Sequence, residues 1–119
     1  MKSYIKKEQR KITRYINKWI KKFSLGDWEI DWCVAGPRDS CVTNERQGEV
    51  RYLYNSRIAS IFISPFAEWP GIKETIRHEL LHLVLSDYRE ICDKHMPEDQ
   101  KANFESAEHA VINRLNPLL

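Results

Sequence analysis

The hydrophobic positions at the start of the chain follow the period of a helix. Lysines and arginines fall mostly between them, which is the arrangement of an amphipathic helix. The pattern predicts a helix over 4–23 with its apolar stripe on the body of the protein and its basic residues in solvent. The apolar stripe consists of Ile5, Ile12, Ile16, Trp19, Ile20 and Phe23.

After this helix the period of the hydrophobic pattern changes to two. In residues 28–34, tryptophan and aliphatic side chains alternate with Glu29, Asp31 and Cys33, as they do in a half-buried strand. Residues 36–48 are polar and rich in turn-forming residues, so we expect a long loop there. Loops of this length without secondary structure are uncommon in small domains, and their length favours a functional role.

Two further strand patterns follow the loop. In residues 50–54 Val50, Tyr52 and Tyr54 recur at every second position, and residues 58–64 are rich in isoleucine. A short turn at Asn55 and Ser56 separates the two segments. This spacing predicts that they pair as an antiparallel hairpin.

The second half of the chain predicts two helices. Pro70 suits the first turn of a helix, and the apolar positions beyond it predict a helix over 70–87. A polar segment with a break near Pro97 separates this helix from a last one over 98–115. The order of elements is helix, three strands, helix, helix, which predicts an α+β fold in a single domain over 1–119.

Composition narrows the class of protein. With 119 residues, of which 42% are hydrophobic and 30% charged, the chain fits one soluble globular domain. We find neither a secretory signal nor an apolar run long enough to cross a bilayer, which predicts a cytoplasmic protein without membrane contact. The three cysteines are expected to be reduced thiols in that compartment.

Charge is unevenly distributed along the chain. Residues 1–22 carry nine lysines and arginines and one glutamate, a net charge of +8, whereas residues 23–119 carry a net charge of −6. The favoured interpretation is the solvated face of an amphipathic helix, and nucleic-acid binding is the alternative. No aromatic residues interleave with the exposed basic positions in the way that base stacking requires.

The segment TIRHELLHLVLSDY, residues 75–88, carries the strongest chemical signal. His78 and His82 are four residues apart, so a helix places both rings on one face. Two imidazoles at this spacing can bind one zinc ion, while Glu79, displaced around the helix, can act as the base toward a water. The opposite face of the helix is predicted to pack on the sheet, and it carries Ile72, Ile76, Leu80, Leu83 and Val84.

A catalytic zinc ion needs a third protein ligand. The zincin pattern that continues with glycine and histidine is excluded, because Leu85 and Tyr88 occupy those positions. The alternative pattern takes a carboxylate from the next helix, where Glu105 and Glu108 are available. By helical rotation Glu108 lies about 40° from the inward-facing Phe104, and Glu105 lies about 100° from it.

A carboxylate inside an apolar stripe is costly unless it is paired or binds a metal. Glu108 is therefore the predicted third ligand. Glu105 is the alternative, either as the ligand or as a hydrogen-bond partner of a ligand histidine. His109, next to Glu108, is expected to point away from the metal.

The sequence HELLH, followed by a helix bearing ESAEHAVINRL, resembles the gluzincin group of zinc metallopeptidases and most closely its single-domain members, the minigluzincins. The resemblance implies that His78, His82 and Glu108 bind zinc and that Glu79 is the general base. It also implies that an edge strand within 58–64 holds an extended peptide substrate by strand addition. Larger gluzincins add a second domain that forms the far wall of the cleft, and the residues here account for one domain.

These observations predict a zinc-dependent metallopeptidase that hydrolyses peptide bonds. The alternative from a different class is a zinc-binding scaffold or binding protein that is latent or has no catalytic turnover. The reason for this alternative is that the residues here account for one domain, without the second domain that completes the cleft in larger gluzincins. A third hypothesis is a protease that contacts nucleic acid through the basic helix at 4–23.

Overall fold

The computed structural model describes residues 8–43 and 46–119, and it has the predicted α+β fold. Residues 4–7 of the predicted first helix lie outside the described residues. Short 3-10 turns at Glu98–Gln100 and Asn116–Leu118 flank the last helix. The helices are α1 (Gln9–Lys22), α2 (Ser40–Thr43), α3 (Trp69–Val84), α4 (Ser86–His95) and α5 (Lys101–Leu115), and the strands are β1 (Glu29–Val34), β2 (Gly48–Leu53) and β3 (Ile58–Ile63).

The strands form one mixed sheet in the order β1-β3-β2. β2 and β3 are antiparallel, with Leu53 opposite Ile58, which confirms the predicted hairpin. β1 lies on the other side of β3 and runs parallel to it. The expectation that the strand within 58–64 is a substrate-binding edge is therefore wrong. Both sides of β3 already hydrogen bond to neighbouring strands, so β1 and β2 are the edges.

One face of the sheet packs against α1 and α3. Burial of each large aliphatic side chain in this layer stabilises the fold by about 1.5–3 kcal/mol, which fixes α3 on the sheet by its apolar side. The fully or almost fully buried residues of the layer are Ile12, Ile16, Trp19, Ala59, Ile61, Ile63, Ile72, Ile76, Leu80 and Leu83.

A helix occupies part of the segment between α3 and α5 that the sequence indicated only as polar. The chain turns at Leu85, where the α3 helix ends, and α4 begins at Ser86. Ser86 is the only buried residue of α4. The sequence of this helix therefore has no apolar stripe from which a helix could be predicted. No helix in the described part of the chain combines the length and the apolar character needed to cross a membrane.

The described part of the long loop that precedes β2 contains the single turn of α2. Arg51 on β2 bridges two carboxylates, that of Asp39 at 2.9 Å and that of Glu49 at 3.1 Å. Asp39 also accepts a hydrogen bond from the backbone N–H of Gly36, and the Ser40 hydroxyl donates to Glu49. These contacts tie the loop to β2, the strand beside the candidate site.

Polar contacts fix α3 beyond its apolar face. Asp87, in the first turn of α4, accepts a hydrogen bond from Arg57 at the end of the β2–β3 turn. Near the other end, the side chain of buried Asn116 accepts a hydrogen bond from Arg77 at 2.7 Å and donates one to the backbone carbonyl of Glu74 at 2.9 Å. α3 is therefore held by the sheet and by the C-terminal turn, and the hairpin holds the start of α4, which follows it.

Candidate metal centre

His78 and His82 lie one turn apart on the side of α3 that faces a cleft. Their ring centroids are 5.1 Å apart, as the helix period requires. The opposite side of α3 is buried as predicted, except that Val84 is 40% exposed. The two histidines therefore project from a helix whose orientation is fixed by the core behind it.

A third histidine joins them from α5. The ring centroid of His109 lies 5.6 Å from that of His78 and 4.9 Å from that of His82. The expectation that His109 points away from the site is wrong. Glu108 is turned into the protein, so the next residue of α5, about 100° further around the helix, points into the cleft.

Glu108 contacts the back of the His82 ring. Its Oε1 atom lies 2.5 Å from the Nδ1 atom of His82, and its side chain is 2% exposed. Burial would raise the pKa of Glu108, but the hydrogen bond to His82 and the charges of His82 and Arg89 together lower it. An ionised carboxylate accepts the Nδ1 proton, which leaves the Nε2 atom of His82 with the lone pair that a metal can bind.

The surroundings of the two carboxylate oxygens of Glu108 bear on the prediction that this residue binds the metal. Its Oε2 atom is buried and has no hydrogen-bond partner among the described residues. Its Oε1 atom lies 3.7 Å from a guanidinium nitrogen of Arg89. The alternative candidate, Glu105, is exposed and forms an ion pair with Arg89 at 2.6 Å. Glu108 as a metal ligand stays a prediction.

Glu79 lines the same cleft from the β2 side of α3. It is a buried carboxylate with 7% of its surface exposed. Burial raises its pKa to about 7, although the charge of His82 and a backbone hydrogen bond from Val50 on β2 act in the opposite direction. A carboxylate with a pKa near neutrality is matched to accepting and returning a proton at neutral pH.

The electrostatics of the site favour neutral imidazoles. Burial, followed by the charges of His82 and His109, lowers the pKa of His78 to about 4. The pKa of His109 is also lowered, mainly by burial. Imidazoles bind metals in the neutral form, so at neutral pH these two rings are ready to bind a metal without first losing a proton.

The donor set fits a divalent transition metal. One ring nitrogen from each of His78, His82 and His109 lies within 4.8 Å of the other two. Three nitrogens bound to one tetrahedral zinc ion at 2.0–2.1 Å lie about 3.4 Å apart, so the rings need to close by at most about 1.4 Å. Because Glu108 fixes the His82 ring, this closure needs movement mainly of the other two.

The cleft itself has a volume of about 710 Å³ and lies between β2, α3 and α5. β2 approaches α3 closely at Gly48, where an added Cβ atom would lie 2.6 Å from the carbonyl oxygen of Phe62 and 2.6 Å from the Thr75 side chain. Glycine therefore permits this approach. The outer edge of β2, which no strand of the described residues covers, borders the cleft beside Glu79.

The sequence matches no protein-family model, and neither curated proteins nor solved structures are significantly similar to it. The resemblance to gluzincins accordingly stays a prediction, and the functional argument rests on the geometry of the site.

Proposed function

We propose that this protein is a zinc-dependent metallopeptidase, with His78, His82 and His109 as the metal ligands and Glu79 as the general base. The observation that carries the proposal is the convergence of three histidine nitrogens, mutually within 4.8 Å, beside a buried glutamate in an open cleft. Three imidazole ligands with a fourth position open to substrate are typical of catalytic rather than structural zinc.

The third ligand is the point at which this proposal departs from the sequence prediction. His109 contributes a nitrogen to the cluster, whereas Glu108 makes its short contact with the Nδ1 atom of His82. We therefore assign Glu108 to positioning: its carboxylate holds the His82 ring in the orientation and tautomer that metal binding needs. Glu108 as a direct ligand is the alternative.

Zinc bound at this site would supply Lewis acidity, which polarises a scissile carbonyl and makes an attacking water more acidic. Glu79 takes the proton from that water, since its pKa of about 7 lets it ionise near neutral pH. The same carboxyl group then returns the proton to the leaving amine. The hydrogen bond from the Val50 backbone keeps the Glu79 carboxylate beside β2 during both transfers.

A peptide substrate is supported by the position of β2. Its outer edge borders the cleft, with Gly48, Val50 and Tyr52 among the lining residues. An extended chain can add to such an edge through backbone hydrogen bonds, independently of most of its sequence. This assigns to β2 the role that the resemblance to gluzincins implied for the strand within 58–64.

The test compares the wild-type protein with Glu79→Gln, each loaded with zinc and assayed on unfolded casein and on a mixture of peptides. Both proteins should bind one zinc ion, and the variant should lose hydrolysis by at least about a hundredfold. Glu98→Gln, which removes an exposed carboxylate paired with Lys101, is the control and should retain full activity.

Two outcomes would count against the proposal. Hydrolysis that persists in Glu79→Gln would exclude the assigned base. Wild-type protein that binds zinc but cleaves none of the substrates would favour the non-catalytic zinc-binding protein that the sequence left as the alternative.

A further inference from the structure

The exposed side of α1 carries a continuous stripe of positive charge. The helix Gln9–Lys22 contains no acidic residue, and each of its lysine and arginine side chains is exposed. At 100° per residue these side chains fall within an arc of about 120°, and they extend over about 18 Å of helix. The residues of this basic stripe are Arg10, Lys11, Arg14, Lys18, Lys21 and Lys22.

The arc of the basic stripe is opposite the buried side of the helix. Ile12, Ile16 and Trp19 are the buried residues of α1, and they centre about 150° away from the basic arc by the same rotation. The apolar side of α1 is already packed in the core. It is therefore not available for insertion into a lipid bilayer, which interfacial helices need.

Other helices of the described residues carry surface ion pairs. α4 carries two ion pairs at i,i+4 spacing, and Lys101 pairs with Glu98 at the start of α5. Within the described residues, neither Arg14 nor Lys18 forms a salt bridge, and the same holds for Arg10, Lys21 and Lys22.

Several like charges of the basic stripe are also neighbours on the helix. Arg10 and Arg14, Arg14 and Lys18, and Lys18 and Lys22 are each at i,i+4 spacing, an arrangement that is destabilising for like charges. Two aromatic rings contact lysines of this surface: Lys22 lies over Trp19 at 4.8 Å, and Lys11 and Lys73 lie over Trp69. Lys73 on α3 thereby extends the positive surface beyond α1.

We propose that the basic stripe is a binding surface for the phosphate backbone of double-stranded nucleic acid. A duplex carries about one negative charge per 1.7 Å of axis, so an 18 Å stripe of one sign finds complementary charge along its whole length without any pocket. The stripe holds no exposed aromatic ring on which an unpaired base could stack, which favours duplex over single strands. This surface is independent of the metal centre.

Contacts of this kind give a measurable signature. If four to six side chains contact phosphates, the slope of log affinity against log salt is about −4 to −5, and affinity falls roughly a hundredfold or more between 50 and 200 mM salt. Binding should not depend on the base sequence, since phosphate contacts position a protein without reading bases.

The experiment measures fluorescence anisotropy of a labelled 20-base-pair duplex of random sequence with the full chain at 50, 100 and 200 mM KCl. The variant Arg14→Gln, Lys18→Gln, Lys21→Gln neutralises three stripe residues. It should weaken binding at least tenfold at 50 mM and reduce the salt slope by about 3. The control Arg38→Gln, Lys94→Gln, Lys101→Gln changes the net charge equally, outside the stripe, and should bind like wild type.

Several outcomes would overturn the proposal. Equal losses in the two triple variants would mean that net charge alone governs binding. No binding of wild type at 50 mM KCl, or binding to vesicles containing phosphatidylserine but not to the duplex, would exclude the assigned partner, and tighter binding to a single strand of equal length would exclude duplex recognition. Circular dichroism of each variant checks that α1 still folds, and the substituted side chains are all at the surface.

Discussion

The side chains of His82 and Glu108 meet across the contact between α3 and α5, with the His82 Nδ1 atom 2.5 Å from the Glu108 Oε1 atom. They are separated by 26 residues of sequence, and each comes from a different helix. A metal site built on this pair therefore depends on how the two helices pack, as well as on the spacing of histidines within α3.

The first prediction concerns the third ligand. His109→Ala should weaken zinc binding by more than about a hundredfold, because it removes a ligand. Glu108→Gln should weaken it by about 10- to 100-fold, because it removes only the group that orients His82. Competition with a chromophoric zinc chelator measures both affinities.

His95→Ala is the matched control for His109→Ala, since His95 is an exposed histidine at the end of α4. It should bind zinc like the wild type. If Glu108→Ala abolishes zinc binding while His109→Ala retains it, then Glu108 is the ligand, as the sequence predicted.

The second prediction concerns the pH dependence of stability in the metal-free protein. The pKa of Glu79 is raised from 4.5 to about 7 by burial, so between these values the folded state binds more protons than the unfolded state. Stability from this group is present below about pH 4.5 and is lost as pH rises through 7, by up to about 3 kcal/mol. Glu79→Gln should abolish this loss in urea unfolding measured with chelator present.

His78 should act in the opposite direction. Its pKa is lowered from 6.5 to about 4, so its contribution is present above pH 6.5 and is lost as pH falls through 4. Glu79→Gln should therefore become less stable on acidification from pH 7 to 4.5, whereas the opposing slopes make wild type less sensitive over that range. Identical pH profiles for the two proteins would contradict the assigned environments.

The third prediction concerns the close approach of β2 to α3. Gly48→Ala places a Cβ atom within 2.6 Å of the Phe62 carbonyl oxygen and of the Thr75 side chain, so the strand or the helix must shift. We expect a loss of about 1–3 kcal/mol in the free energy of unfolding. Gly26→Ala is the control, since its Cβ meets nothing within 4 Å. A Gly48→Ala protein as stable as this control would refute the close contact.

The fourth prediction separates the apolar back of α3 from its metal-binding face. Leu80→Ala should cost about 2–5 kcal/mol, because Leu80 is fully buried. Val84→Ala should cost clearly less, since that side chain is 40% exposed. Thermal unfolding with and without zinc gives both numbers, and zinc should raise the midpoint of each variant as it does that of wild type. If zinc fails to stabilise folded Leu80→Ala, then metal binding depends on packing at the apolar back of α3, and the prediction that the two faces act separately is wrong.

What the sequence determined on its own is the structure within each element. The period of its hydrophobic residues is enough to predict α1, the hairpin of β2 and β3, and α3 with an apolar back. The four-residue spacing of His78 and His82 is likewise sufficient to place them on one face, because a helix fixes the relation between residues one turn apart. α4 was missed because its only buried residue is Ser86, which leaves no apolar stripe to detect.

What only the tertiary structure decided is the relation between elements. The sequence indicates that Glu108 is turned inward, and burial bears this out, but not that it contacts His82 or that His109 enters the cleft. It does not indicate that β3 is the central strand, because β1 pairs with β3 across more than twenty intervening residues. Local periodicity sets the direction of a side chain relative to its own helix or strand, and the packing of helices and the order of strands set what that side chain meets.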